Sequence, residues 1–485
     1  MKILSKNNDT VKILSSPDEE LLERGDYLLI EDGGKKLLIQ VLDIEYADIP
    51  GILEDTLREL SIEDARSLSS VDPYSVGSLI AKLREARLVI AKFRGVLVNG
   101  ELRNDVLWLP SRFNSRIIKA SSSLVNELSR TSGRRALLLG ECMSEWFTIN
   151  AESLDGRLTI ITGKKEMGKS HLAKLLVLGL VEYGARIIVF DMNGEYGGLS
   201  KRVDGIESDL SNRLKVIIPS QNFKTSILDA GLKTMMDILR YVYDTPSASL
   251  REFSRVWYLA ERVYGKVTLR GLIEALTKTQ MNESVREALL SRLLSIEDLD
   301  FFDDENPQSI EDLLEELDYG GALIVDLSKS LPHGRRLVVE YFLSKLSTIL
   351  KNNKYPPVFL LAEEAHLYLR DTYWDDLVTR MRHIGIFPIF VTNQPDMIPD
   401  SVYRQADNIF LFNFTNDSDL DYLAKASRVD VETVKRIVKT LPPRRCLVIG
   451  RVVNDLPIVV KVRELPVKTM GETKLFFTES QQRNL

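Results

Sequence analysis

The sequence predicts an α/β fold in which a small β-rich domain precedes a parallel sheet covered by helices. Short strand-like runs joined by glycine turns fill the first 150 residues, and strands alternate with helices from about residue 155. A mostly helical stretch over 225–317 interrupts that alternation. The length of 485 residues indicates two or three domains rather than one.

Composition narrows the class of protein. Hydrophobic residues make up 44% and charged residues 28%, which is typical of a soluble globular protein with large cores. No run of about 18 apolar residues occurs, so we expect no membrane span, and the first residues turn polar too soon for a signal peptide. The two cysteines, Cys142 and Cys446, are too few and too far apart for a disulfide framework or a cysteine-based zinc site. We therefore expect a cytoplasmic protein.

Residues 1–150 are predicted to form a small β-barrel domain with a helical insert. Strand-like runs at 26–30 and 36–42 flank Gly33 and Gly34, which is a hairpin signal. Helical patterns and a further strand follow, at 54–65, 75–85 and 87–93. Short strands joined by turns favour a small barrel or a sandwich.

The rest of the chain is predicted to contain one sheet domain in two parts. Residues 158–161, 171–183 and 186–190 read as a strand, a helix and a strand, which favours a parallel sheet. The predicted segments are the first part of the sheet domain (151–224), an inserted helical lobe (225–317), the remainder of the sheet domain (318–470) and a tail without periodicity (471–485).

The strongest motif is the string Gly163-Lys164-Lys165-Glu166-Met167-Gly168-Lys169-Ser170, a GxxxxGKS match between a strand and a helix. Such a loop points successive backbone N–H groups at a phosphate, and the following helix adds its dipole. Lys169 is expected to reach the β- and γ-phosphates, and Ser170 to hold Mg²⁺. The sequence therefore predicts a RecA-like P-loop NTPase core that binds ATP and Mg²⁺ through residues 163–170 and His171. The alternative is a tight strand–helix turn that needs glycine for its conformation.

Acidic residues follow three predicted strands, and only one of these strands ends in adjacent carboxylates, Glu363 and Glu364. One carboxylate can hold the water shell of the metal while the next polarises the attacking water. The alternative is a helix N-terminus that favours acids. Asp191 ends the strand after the P-loop helix, so it is predicted either to act near magnesium or to cap the following turn.

A polar sensor and two arginines complete the predicted site. Asn393 follows a buried strand, where an amide can bond the γ-phosphate or water; the alternative is an Asn-stabilised turn. Arg380 and Arg382 are candidates for an arginine finger that reaches the nucleotide of a neighbouring subunit, or otherwise a pair of surface arginines. Arg157 precedes the P-loop strand, and its alternative role is a salt bridge at a domain boundary.

Charge gives a weaker signal. The chain has a net charge of −6 and a pI of about 5.6, so it does not coat nucleic acid with its whole surface. Residues 425–468 nevertheless hold eleven basic and four acidic side chains. This basic window favours a local nucleic-acid contact, and the alternative is a solvated face.

These motifs together resemble the archaeal HerA helicases of the HerA/FtsK superfamily. The resemblance is carried by four stretches: Arg157 to Gly163 leading into Gly168-Lys169-Ser170, Val189 to Tyr196, Glu363 to His366, and Arg380 to Pro395. The long interval before Glu364 and the β-rich N-terminal region also fit that family.

The resemblance implies an ATPase that forms a hexameric ring around duplex DNA and translocates on it during the repair of DNA ends. Its implied partners are a NurA-type nuclease and the Mre–Rad end-processing complex. By position, Lys169 and Ser170 would bind phosphate and Mg²⁺, and Glu364 would be the catalytic base. Arg382 would be the arginine finger and Arg157 a second arginine at the nucleotide. Two alternatives stay open: a protein-translocating or conjugation-type ATPase, and a nucleotide-dependent scaffold with little turnover.

Overall fold

The computed structural model describes residues 1–16, 18–47, 85–103, 108–112, 114–317, 319–351, 355–368, 378, 380–426, 430–468 and 470. Nearly all of the helices predicted at 54–65 and 75–85, and the whole tail at 471–485, lie outside these residues. The chain divides into two compact units. Unit 1 consists of 1–131, 139–149 and 411–462, and unit 2 consists of 132–138, 150–410 and 463–485.

The strands are β1 Lys2–Asn7, β2 Thr10–Ser15, β3 Tyr27–Asp32, β4 Lys35–Tyr46, β5 Arg87–Val98, β6 Glu101–Arg103, β7 Arg116–Lys119, β8 Ala136–Cys142, β9 Glu145–Asn150, β10 Thr159–Thr162, β11 Arg186–Asp191, β12 Leu214–Ile217, β13 Gly321–Asp326, β14 Val358–Ala362, β15 Ile386–Thr392, β16 Asn408–Leu411, β17 Arg445–Gly450 and β18 Ile458–Val462. The helices are α1 Ser122–Ser129, α2 Lys169–Glu182, α3 Ile227–Tyr241, α4 Ser247–Tyr264, α5 Leu269–Lys278, α6 Glu283–Glu297, α7 Ile310–Glu316, α8 Pro332–Lys351, α9 Asp400–Gln405, α10 Asp417–Ala426 and α11 Val431–Thr433.

Unit 1 contains the predicted β-rich sheet. Its strand order is β1-β2-β5-β4-β3-β7, all neighbours are antiparallel, and β6 pairs with β5. The β3–β4 hairpin turns at Gly33 and Gly34, whose φ angles of 54° and 79° favour glycine. The antiparallel N-terminal sheet is confirmed. β1 and β7 are the two ends of the described strand order, and closure into a barrel stays a prediction.

Unit 2 contains the predicted parallel sheet, with the order β12-β13-β11-β14-β15-β10-β16. The pairs from β12 to β10 are parallel. Strands such as β11 and β15 are apolar along their length and buried throughout, as expected where helices cover both faces of a sheet. The carboxyl ends of these parallel strands meet at one edge, called here the carboxyl edge.

Five helices, α3 to α7, follow one another between β12 and β13. Each helix from α3 to α6 packs against the next, and α8 packs against α3 and α7. An aromatic cluster of Phe223, Phe301, Tyr341 and Phe342, with ring centroids 5.3–6.0 Å apart, joins this helical segment to α8. No helix of the described residues is long and apolar enough to cross a membrane.

After β18 the chain returns to unit 2 and runs across α2. We call residues 463–468 and 470 the strap. The Arg463 carbonyl lies 2.7 Å from Nε2 of His171, and the Met470 carbonyl accepts from Nζ of Lys174 at 3.4 Å. The N–H of Lys468 donates to the Lys201 carbonyl at 2.8 Å. The strap therefore fastens the first two turns of the P-loop helix to the segment that follows β11.

Candidate active site

The phosphate loop lies at the carboxyl edge of the unit 2 sheet. β10 ends at Thr162, which pairs with Thr392 of β15, and α2 begins at Lys169. The loop between them turns through two left-handed residues, Glu166 with a φ of 64° and Gly168 with a φ of 110°. The loop therefore leads directly into the N-terminus of α2, where free N–H groups and the helix dipole favour an anion.

The charged side chains within the loop do not fill its backbone cradle. Lys164, Lys165 and Glu166 are exposed, whereas Lys169 is buried and its Nζ donates to the Lys164 carbonyl at 2.8 Å. Burial lowers the pKa of the Lys169 ammonium, while the nearby Glu364 carboxylate raises it. Because the backbone forms the cradle, the long residues of this loop are compatible with phosphate binding.

Glu364 lies at the same edge, two residues beyond the end of β14. Its φ and ψ of 49° and 46° are left-handed, a conformation that costs an L-residue about 1–2 kcal/mol. Its Oε2 atom is buried without a hydrogen-bond partner and lies 3.3 Å from Nδ1 of His366. Burial raises the pKa of Glu364, and the ammonium groups of Lys169 and Lys165 lower it. A carboxylate with a free acceptor beside the loop lysines can accept a proton from water.

Glu363 is held behind Glu364 in a buried polar network. Its Oε1 accepts from the Tyr196 hydroxyl at 2.6 Å, and its backbone carbonyl accepts from the hydroxyl of Tyr368. Burial raises the pKa of Glu363 to about 7; the Tyr196 hydrogen bond opposes this shift, and Glu195 adds to it. Glu363 is therefore fixed in orientation by the segment that follows β11.

Lys174 and Glu195 complete this network. Nζ of Lys174 donates to Oε2 of Glu195 at 2.8 Å and lies 5.5 Å from the centroid of the Tyr196 ring. The Lys174 side chain is 3% exposed and that of Glu195 is 19% exposed. Sequence reasoning assigned no role to either residue. The signal was a single lysine within the otherwise apolar middle of α2, which a buried helix retains only when the charge has a partner.

Asp191 organises the turn after β11. Its Oδ1 accepts the N–H groups of Asn193, Gly194 and Glu195 at 2.9–3.3 Å, and its Oδ2 accepts that of Tyr196 at 2.8 Å. Burial raises the pKa of Asp191, and these backbone bonds lower it. This is the capping role, one of the two roles that the sequence predicted for Asp191; the other is a role near magnesium. Four backbone donors bind the carboxylate, which thereby orients the turn that carries Glu195 and Tyr196; a role of Asp191 near magnesium stays a prediction.

Asn393 follows β15 and is level with Gly163, because Thr392 pairs with Thr162. Its Oδ1 is buried and has no hydrogen-bond partner. The turn is fixed by the Thr392 hydroxyl, which accepts the N–H of Gln394 at 3.1 Å and lies 3.1 Å from Nδ1 of His366. His366 thus connects the Glu364 turn with the predicted sensor turn.

Arg382 and Arg157 lie at the opposite edge of the sheet. Arg382 is exposed in the turn before β15, and Arg157 is partly exposed just before β10. Neither forms an ion pair with a described residue. β15 is seven residues long, so its two ends are about 20 Å apart at about 3.3 Å per residue. Neither arginine is therefore near the phosphate loop of its own chain.

The residues at the carboxyl edge fit ATP with Mg²⁺. Three buried side-chain oxygens there lack hydrogen-bond partners, namely Thr162 Oγ1, Glu364 Oε2 and Asn393 Oδ1. Among the described residues no group of three or more His, Cys, Asp or Glu side chains could hold a metal. Magnesium at a P-loop takes most of its ligands from phosphate and water, so Ser170 with one carboxylate is a sufficient protein contribution.

Comparison with known proteins indicates the same class of enzyme as the geometry of this site. Residues 159–346 match the family described as "Helicase HerA, central domain". The chain is 22% identical over 478 residues to the "DNA double-strand break repair helicase HerA" of Sulfolobus acidocaldarius, covering 93% of this chain and 91% of that one. It is 23% identical over 357 residues to the protein of the same name from Saccharolobus solfataricus, covering 69% of each chain.

Solved structures support the fold. The plasmid coupling protein TrwB in complex with ADP and Mg²⁺ matches with a TM-score of 0.53 and 15% identity, covering 73% of this chain and 94% of that one. VirB4 of Thermoanaerobacter pseudethanolicus matches with a TM-score of 0.51 and 15% identity, covering 70% and 99%. The phosphate loop and the carboxylates, together with these matches, define the chain as a P-loop ATP hydrolase. More particularly, residues 159–346 are similar to the central domain of HerA, and the chain is similar to the two HerA relatives at 22–23% identity.

The basic window at 425–468 is largely neutralised. Six of its basic side chains form ion pairs, all within unit 1: Lys435, Arg436, Lys439, Arg445, Arg451 and Lys461. Their partners include Asp43, Glu23 and Glu141, which lie far away in sequence. Acids from elsewhere in unit 1 therefore offset much of the positive charge that the sequence concentrates in this window, which weakens it as a DNA-binding signal.

Proposed function

We propose that this chain is an ATP-driven translocase that acts on duplex DNA as a ring of identical subunits, with six as the expected number. The observation that carries the proposal is the placement of Arg382 and Arg157 at the edge opposite the phosphate loop. Since each lies about 20 Å from the loop of its own chain, their guanidinium groups suit a nucleotide bound by a neighbouring chain.

In this proposal each subunit binds ATP at residues 163–171 and Mg²⁺ through the Ser170 hydroxyl. Bound Mg²⁺ would polarise the phosphate oxygens. Lys169 exchanges the Lys164 carbonyl for phosphate oxygen, Glu364 accepts the proton of the attacking water, and Asn393 uses its buried amide oxygen to orient that water. Glu363, tied to Tyr196, is suited to ordering the water around the metal.

DNA enters the proposal from the curated relatives, whose name describes repair of double-strand breaks. A nuclease partner of the NurA type, with the Mre–Rad complex, is proposed only from the resemblance of the sequence motifs to the HerA helicases. The proposal also treats α3 to α7 as a lobe inserted into the sheet domain and unit 1 as the site for such a partner.

Mixing inactive subunits tests the shared site. Lys169→Ala and Arg382→Ala are each expected to abolish ATP hydrolysis, but for different reasons. In a mixed ring, some interfaces combine an intact phosphate loop with an intact Arg382, so a mixture should recover measurable hydrolysis. A mixture as inactive as its components would contradict an interface role for Arg382.

Stimulation by DNA tests the substrate. Hydrolysis is measured with and without linear duplex DNA over a salt series, because phosphate contacts weaken as salt rises. Turnover that rises several-fold with DNA at low salt and loses this rise at high salt is the expected result. Steady turnover that ignores DNA would instead indicate a protein substrate.

A further inference from the structure

We infer that one face of α4, formed by Arg251, Arg255, Tyr258 and Arg262, contacts the phosphates of duplex DNA. We call it the arginine face. The inference rests on the proposed function, and it assigns to the helical segment a role in holding the substrate.

The four residues lie on one stripe of the helix. They recur at i, i+4, i+7 and i+11, which at about 100° per residue places them within an arc of about 60°. All four are exposed, with Tyr258 at 58% and the Arg255 side chain at 63%. The opposite face, which includes Phe253, Val256, Trp257 and Ala260, is buried and anchors α4. The stripe is therefore a fixed surface rather than a mobile loop.

The arginine face is almost free of neutralising acids. Arg251 and Arg262 form no ion pair or hydrogen bond with any described residue. Arg255 is paired with Glu252 at 2.7 Å, and Glu261 lies about 60–120° around the helix from the four residues of the stripe. This differs from the window at 425–468, where six of the eleven basic side chains form ion pairs. In a chain with 70 acidic and 64 basic side chains, the guanidinium groups of Arg251 and Arg262 are therefore available to bind an anionic molecule.

The chemistry of the face fits a phosphate backbone. Guanidinium groups bind phosphate oxygens in a bidentate manner and are weakly hydrated, and an exposed tyrosine adds a hydroxyl donor. Eleven residues of helix rise about 16 Å, which matches the axial length of about five nucleotides of one strand. Three arginines along that length can follow one strand without reading its sequence.

The experiment compares full-length proteins. The test variant is R251Q/R255Q/R262Q, a second variant is R251K/R255K/R262K, and the matched control is R240Q/R270Q/K278Q, which removes three exposed charges from α3 and α5. Hydrolysis without DNA should be the same in all four proteins. Binding of a fluorescent 30-base-pair duplex is followed by anisotropy over a salt series.

The slope of log K against log salt should fall by about 2–3 in the glutamine variant, since each lost contact removes about 0.9. The lysine variant and the control should keep the wild-type slope. A glutamine variant that binds the duplex with wild-type affinity and slope overturns the inference. Binding of fluorescent poly-glutamate is measured in parallel. A glutamine variant that loses binding to poly-glutamate but keeps binding to the duplex also overturns the inference, because it would assign the face to an acidic protein. A wild-type protein that does not bind the duplex overturns the proposed function itself.

Discussion

Replacing Lys174 by methionine should destabilise the protein far more than removing an ordinary ion pair. Lys174 lies 2.8 Å from Glu195 and is 3% exposed, so the substitution leaves the Glu195 carboxylate close to a buried apolar surface without its partner. At an effective dielectric constant of about 20, two charges 2.8 Å apart attract by about 6 kcal/mol. Removing one member of a buried pair typically costs about 3–5 kcal/mol. We expect a loss of that size in the free energy of unfolding.

A double-mutant cycle separates this pairing from the general effect of substitution. Glu195→Gln alone should also lower the free energy of unfolding. The double variant, Lys174→Met with Glu195→Gln, should lose at least about 2 kcal/mol less than the sum of the two single losses. The free energies come from urea unfolding followed by circular dichroism.

A control pair in the same unit is Lys224 and Asp300, at 2.7 Å but with Asp300 70% exposed. Its coupling should stay below about 1 kcal/mol, because water screens an exposed pair. The reasoning would be refuted if Lys174→Met lowered the free energy of unfolding by less than about 1 kcal/mol. It would also be refuted if the coupling energy between Lys174 and Glu195 were as small as that of the control pair.

Three further results are expected. Glu364→Gln should lower kcat by about 100-fold or more, since the amide cannot accept the proton of water. Its nucleotide affinity, measured by equilibrium binding, should stay at the wild-type value. An unchanged kcat would favour the scaffold alternative. Glu363 has a folded pKa of about 7 against 4.5 when unperturbed, so its contribution to stability is fully present below pH 4.5 and is lost as the pH rises to about 7. Glu363→Gln should remove that loss, and thermal unfolding of both proteins from pH 5 to pH 8 measures the difference. Gly320→Ala should lower the free energy of unfolding by about 2–4 kcal/mol, because the φ of Gly320 is 86° and an added Cβ would lie 2.4 Å from the backbone of Gly184. The control is Gly205→Ala, where φ is a similar 85° but the space around an added Cβ is open. It should cost only about 1 kcal/mol in the same urea titration.

The local patterns of the sequence predicted much of the fold. The GxxxxGKS string, the apolar strands and their acidic ends were sufficient for the parallel sheet, because each depends on neighbouring residues and on the periodicity of side chains. The alternation around Gly33 and Gly34 predicted a hairpin for the same reason. Register could not be predicted. Only the pairing of Thr162 with Thr392 brings Asn393 level with the phosphate loop.

Charge could not be interpreted from the sequence, because neutralisation depends on which acids fold beside which bases. Arg436 pairs with Asp43, almost four hundred residues earlier in the chain, so a local count of charges misses it. Arg251 and Arg262 of α4 lie in a segment for which the sequence predicted only a helical lobe, with no role for its arginines. The network around Glu363 was missed for a similar reason, since Lys174, Glu195 and Tyr196 meet only after α2 and β11 pack together.

The interleaving of the two units has a consequence for biosynthesis. β8, near residue 140, takes β18 as its partner, with Glu141 opposite Lys461, and unit 2 receives its strap only after that strand has been made. A chain emerging from the ribosome therefore holds both units incomplete until β18 and the strap have been translated. Contacts so distant in sequence form slowly, and strand edges that await their partners are prone to aggregation. Nascent chains of this protein should accordingly need protection by chaperones for most of their synthesis.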